Sequence, residues 1–129
     1  MILLDTQAVA WLALAPEKLS SAAEAAIATA SKKGGIAIAD KTLWELAMMW
    51  SRKKINLDTP LSELLLSVEQ HCVVLPLTAA IAERSVQFGK AFPSDPADQI
   101  IAATALVHGL PLITADKAIR KSGEVHCIW

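Results

Sequence analysis

The sequence predicts an α/β fold with a central, mostly parallel sheet of four to five strands flanked by helices. Short apolar runs of strand length alternate along the chain with longer stretches of helical character, the pattern of strands joined by helical crossovers. The 129 residues include 23 alanines while the β-branched runs stay short, which favours helices as the dominant element. No internal repeat, low-complexity tract or linker interrupts the series, so residues 1–129 are expected to form a single domain.

Each element follows from local chemistry. Ile2-Leu3-Leu4 is a continuous apolar run suited to a strand buried on both faces. The helix after it covers about Gln7 to Leu14 and stops at Pro16. Ser20 or Ser21 can cap an alanine-rich helix that ends at Lys32-Lys33, where cations suit a helix C-terminus, before Gly34-Gly35. Ile36 to Ala39 is the second strand, and Asp40 is read as the cap of a helix running to about Lys53. Thr59-Pro60 reads as N-cap and first residue of a helix reaching His71. Cys72 to Leu75 is the third strand, and Thr78 starts a helix to about Phe88. After the loop Gly89 to Ser94, Asp95-Pro96 opens a helix that ends at Gly109. Leu112 to Thr114 is the fourth strand, a short helix follows Asp116, and Val125 to Ile128 is a candidate last strand.

Composition excludes several classes. Hydrophobic residues make up 53% of the chain, charged residues 19%, and the net charge is −1. Those values rule out intrinsic disorder and a basic protein that coats nucleic acid. Two cysteines, Cys72 and Cys127, are too few for a disulfide scaffold and point to a reducing compartment. Met1 to Leu4 are apolar, but Asp5 follows at once and no basic region precedes them, unlike a signal peptide. The longest uncharged run, Gln99 to Ala115, is broken by Gly109 and Pro111, so no bilayer span is expected. The expectation is a cytoplasmic protein with no membrane contact, whose high apolar content suggests a self-interface or partner surface.

The acidic residues are the informative part. In open parallel sheets, sites form outside the carboxyl ends of the strands. Asp5 ends the first strand, Asp40 the second, and Asp116 lies two residues past the fourth. Asp95 and Asp98 stand in the first turn of the helix leading to the fourth strand, and Glu45 lies early in the helix after the second. Structural readings stand beside the functional one. Asp95 is a natural N-cap and Asp98 gains from the helix dipole. Glu45 could pair with Lys41, yet it interrupts an otherwise apolar run from Leu43 to Trp50, where a lone acid is costly. The helix after Asp5 could equally use Thr6 as its cap. Carboxylates about 4 Å apart repel by ~4 kcal/mol at an effective dielectric of 20, so a cluster calls for a cation. An all-oxygen donor set suits Mg²⁺ or Mn²⁺ and not zinc.

Four segments extend the argument in chain order: Ile2-Leu3-Leu4-Asp5-Thr6, Leu43-Trp44-Glu45-Leu46-Ala47, Asp95 to Ala105, and Leu112-Ile113-Thr114-Ala115-Asp116. Together the chain resembles the PIN-domain ribonucleases, in particular the VapC-type toxins of bacterial toxin–antitoxin pairs, along its whole length. The resemblance implies a PIN-like three-layer fold and a metal-dependent endoribonuclease. Asp5, Glu45, Asp98 and Asp116 would be its acidic, metal-binding set, and Mg²⁺ or Mn²⁺ its cofactor. Thr6 and Thr114 match positions that support the acids, and Asp95 is a further supporting candidate. Gln7 and Gln99 depart from the His and Arg that many relatives carry. An RNA substrate, a homodimer and a small antitoxin whose Arg or Lys enters the acidic site are implied in the same way.

RNA also requires phosphate contacts. Lys117, Arg120 and Lys121, just after Asp116, are the first candidates, with Arg52-Lys53-Lys54 and Lys32-Lys33 as others. Six aromatic residues argue against extensive base stacking, and Trp11, Trp44, Trp50 and Trp129 read as core or interface anchors. His71-Cys72 and His126-Cys127 are not read as a zinc site, because neighbours on a strand face opposite ways. A phosphoacceptor receiver domain fails on position, since Thr6-Gln7 follows Asp5 and Leu75-Pro76 ends the third strand. The competing reading is a catalytically silent PIN-like module that sequesters RNA or a protein partner.

Overall fold

The computed structural model describes residues 1–55 and 58–129. Five parallel strands, β1 (Ile2–Leu4), β2 (Ile36–Ala39), β3 (Val73–Leu75), β4 (Leu112–Ile113) and β5 (Cys127–Ile128), form a sheet in the order β3-β2-β1-β4-β5. The helices are α1 (Thr6–Leu14), α2 (Ser21–Lys32), α3 (Asp40–Ser51), α4 (Leu61–His71), α5 (Ala79–Ser85), α6 (Pro96–His108) and α7 (Lys117–Ser122). β1 is central. The chain leaves it towards β2 on one side and returns on the other as β4. Strand order therefore reverses beside β1, where a crevice opens at the carboxyl edge.

Alternation along the strands builds the two cores. Ile2, Leu4, Ile38 and Ile113 pack on one face with Val9, Ile27, Leu64 and Val68 from α1, α2 and α4. Leu3, Ala37, Ala39 and Leu112 pack on the other with Ile101, Ala102 and Ala105 of α6 and Ile119 of α7. The period of two thus yields three layers. Ala37, Ala39, Ala102 and Ala105 are all fully buried, so alanine here sets a close helix-to-sheet approach as well as helix propensity. α3 packs against α1, α4 and α6 and so bridges the layers at the carboxyl edge.

Several local readings need correction. Asp40 does not cap α3. It is the first helical residue, and its Oδ2 accepts the Leu77 N–H at 2.9 Å, tying α3 to the chain leaving β3. Asp5 does cap α1, its Oδ1 accepting the Ala8 N–H at 2.8 Å. Pro60, rather than Thr59, holds the N-cap position of α4. α5 stops at Ser85, short of Phe88, whose ring stacks on Phe92 with centroids 4.0 Å apart. α3 ends at Ser51 because Lys53 adopts a left-handed backbone, φ 55°. Between α2 and β2, Gly34 has φ +88°, and a Cβ there would stand 2.6 Å from the Met1 nitrogen.

Candidate metal centre

Four acids from distant parts of the chain line one cleft of about 380 Å³: Asp5, Glu45, Asp98 and Asp116. Their convergence follows from the topology. Asp5 and Asp116 follow the two strands at the reversal point and cap α1 and α7, Asp116 Oδ1 accepting the Ile119 N–H at 2.9 Å. Asp98 sits in the first turn of α6, whose N-cap is Asp95. Asp95 Oδ1 accepts the N–H groups of Ala97 at 2.8 Å and Asp98 at 3.3 Å, so its carboxylate serves the helix start, and it does not line the cleft. Glu45 arrives from the second turn of α3. The N-termini of α1 and α6 place their positive dipole ends near these charges.

Hydroxyl groups fix the acids in turn. Thr6 donates to Glu45 Oε1 at 2.5 Å, and its oxygen lies 3.2 Å from that of Thr42, which must therefore be the donor in that pair. Thr42 is fully buried, and sequence reasoning missed it. Its signal is a threonine one turn before Glu45 in a mostly apolar helix. Thr114, also fully buried, accepts the Asp116 N–H at 3.1 Å and hydrogen-bonds the Asp5 carboxylate. Thr6 and Thr114 thus both stand beside the acids. Gln7 lines the cleft, whereas Gln99 turns its amide to the Pro93 carbonyl at 3.2 Å.

The electrostatics record the crowding. Burial raises the Asp5 carboxyl from 3.8 to about 6. Hydrogen bonds from Thr114 and Ala8 oppose the rise, while Asp116 and Glu45 add to it. Burial, then the charges of Asp95, Asp116, Glu45 and Asp5, lift Asp98 to about 7. No lysine or arginine is among the described residues lining the cleft. Lys117 and Lys121 are exposed on α7, and half-buried Arg120 donates to the Ala115 carbonyl at 3.3 Å. None of the three lines the cleft.

The donor set fits a hard divalent cation: carboxylates and neutral oxygens, without His or Cys among the lining residues. Among the described residues, however, no three His, Cys, Asp or Glu side chains converge closely enough to hold an ion as they stand. Like charges sharing a cleft repel one another. The tryptophans divide: Trp11 and Trp129 pack together, centroids 5.6 Å apart, against the core, while Trp44 is 53% exposed. No described helix is long and apolar enough to cross a membrane.

A family model for the PIN domain matches residues 2–125. Ribonuclease VapC22 of Mycobacterium tuberculosis is 34% identical over 119 residues, covering 92% of this chain and 89% of that protein. The fold resembles that in the crystal structure of VapBC2 from Rickettsia felis bound to a promoter DNA fragment, with TM-score 0.73 and 16% identity, covering 98% of this chain and 97% of that one. It also resembles a toxin–antitoxin complex from Klebsiella pneumoniae, with TM-score 0.69 and 22% identity over 100% and 97% of the two chains.

Proposed function

Because the chain belongs to the PIN-domain family and is closely related to the VapC toxins of type II toxin–antitoxin systems, we propose that it is a divalent-metal-dependent endoribonuclease. The observation that carries this reading is the cleft shared by Asp5, Glu45, Asp98 and Asp116 with no lysine or arginine among its described lining residues. A relative 34% identical is named a ribonuclease, which supports RNA as the substrate.

In this proposal the four carboxylates hold Mg²⁺ or Mn²⁺. Bound there, the ion supplies charge neutralisation at the phosphodiester and activation of a water nucleophile. The protein's own part is positioning. Thr6 holds Glu45 by donating to it, Thr114 braces both Asp5 and Asp116, and the helix caps keep Asp5 and Asp116 from rotating freely. Ile101, Met49 and Trp11 form apolar walls that lower the local dielectric around the acids. The N-termini of α1 and α6 favour anionic groups at this end of the sheet.

Cleavage of single-stranded RNA in Mg²⁺ or Mn²⁺, abolished by EDTA and by Asp116→Asn, is the expected result. Undiminished cleavage in excess chelator overturns the proposal. A second reading, a PIN-like module that binds RNA or a protein without cutting, is favoured by the lack of a converged ligand set among the described residues. Calorimetric titration with Mn²⁺ followed by the nuclease assay separates the two. We extend the proposal to residues 1–129 acting as one unit and to a cognate antitoxin as partner, on the grounds that similar folds occur in toxin–antitoxin complexes. A homodimer is included, and light scattering after size exclusion tests it. A monomer at tens of micromolar removes it.

A further inference from the structure

Beside the acidic cleft, and sharing Glu45 and Met49 with it, lies a second depression of about 390 Å³ with the opposite electrostatic character. Lys41, Arg52, Lys54, the indole of Trp44 and Asp95 line it, and Glu45 stands at its border with the cleft. Lys41, Trp44 and Met48 of α3 and Arg52 at its C-cap recur at three- and four-residue spacing, which puts them on one stripe of that helix and its end. Lys54 joins the stripe because the chain leaves α3 through left-handed Lys53, and the Lys54 N–H then donates to the Met49 carbonyl at 2.9 Å.

Trp44 is the unexpected component. A large aromatic residue left 53% exposed is unusual beside so many cations, and the Lys41 ammonium stands 4.0 Å from its ring centroid. Folding gains little from an indole held in this way. A nucleic acid strand entering the neighbouring cleft needs cations for its flanking phosphates, and the cleft lining has none among the described residues. The adjoining groove has three, together with an open aromatic surface on which an unpaired base can stack. A base within a duplex has both faces already covered, so the aromatic component favours a single strand.

We propose that this groove is the subsite for a nucleotide flanking the cleaved phosphodiester of single-stranded RNA, with Trp44 stacking on its base and Lys41, Arg52 and Lys54 holding its phosphates. The assignment rests on the nuclease reading of the adjacent cleft and makes Trp44 a binding residue, not a metal ligand.

The test is fluorescence anisotropy with a labelled single-stranded RNA of about ten nucleotides, in EDTA so that binding is read without cleavage. Trp44→Ala should weaken binding about ten-fold, within the range for one stacked base, and Trp44→Phe should restore most of it. The double variant Arg52→Ala, Lys54→Ala should lower the salt slope by about 1.4, the value for two single-strand phosphate contacts. Calorimetric Mn²⁺ affinity should stay unchanged in every variant. Parent-like RNA affinity in Trp44→Ala overturns the proposal, as does equal dependence on Trp44 for duplex RNA. Displacement by short polyglutamate as effectively as by RNA reveals simple charge attraction and also overturns it. Trp44-dependent RNA binding in a parent that binds no Mn²⁺ supports the groove while refuting the nuclease reading.

Discussion

Replacing Asp5 by Asn removes a charge while keeping a side chain that can cap α1, because Asn caps helices as well as Asp does. The parent carboxyl rises from 3.8 to about 6, chiefly through burial. A change of that size corresponds to about 3 kcal/mol by linkage. Asp5 is partly exposed, so solvent screening reduces the value to on the order of 2 kcal/mol. The sign follows from proton binding. The folded state holds the Asp5 proton more tightly than the unfolded chain, so the contribution of Asp5 to stability is fully present below pH 4 and is lost as pH rises through 6. In EDTA at pH 8, Asp5→Asn should therefore melt about 6–10 °C above the parent. About two-thirds of that gap should close at pH 4.5, where the folded parent is largely protonated. Mg²⁺ at ten times its dissociation constant should stabilise the parent by about 1.4 kcal/mol and the variant hardly at all. Circular dichroism melts of both proteins at the two pH values, with and without metal, make the comparison. A gap that ignores pH, or a variant less stable than the parent at pH 8, refutes the reasoning.

Other consequences are equally direct. Because Asp5 and Asp98 must lose their protons to hold a cation, Mn²⁺ affinity should climb between pH 5.5 and 7.5 and level off above about 8. Calorimetry at three pH values reads this, and a flat profile contradicts it. Thr6→Val removes the donor to Glu45 and leaves the buried Thr42 hydroxyl without its Thr6 partner. A loss of about 1–3 kcal/mol in urea unfolding is expected, with roughly ten-fold slower RNA cleavage. Gly34→Ala meets both a left-handed backbone and the Met1 nitrogen, so about 2 kcal/mol should be lost in the urea midpoint with metal affinity unchanged.

What was legible in the sequence depended on whether local chemistry alone decided the outcome. Ile2–Leu4 and Ile36–Ala39 read as strands because a run apolar on both alternating faces fits a doubly covered sheet. Asp95-Pro96 marked the start of α6 because cap and fixed φ act within one turn. The joint position of Asp5, Glu45, Asp98 and Asp116 was legible only through the strand-end rule and the family resemblance. Readings that turned on tertiary partners went differently. The Asp40 carboxylate bonds Leu77, a partner made available by β2–β3 pairing. Thr42 shows its role only when α1 and α3 meet, and the apolar letters around Trp44 hide its exposure. The end of α3 rests on one residue, Lys53, taking a conformation to which lysine has no intrinsic preference.

The pairing of β1 with β4 also has a consequence in time. Asp5 and Asp116 stand 111 residues apart in the chain, and the β1–β4 ladder brings them to one cleft. At a synthesis rate of about 5–20 residues per second, several seconds separate the synthesis of the two. A nascent chain therefore cannot complete the cleft until β4 and Asp116 have been made. The four carboxylates thus come to share one cleft once the sheet has been joined from β1 to β4.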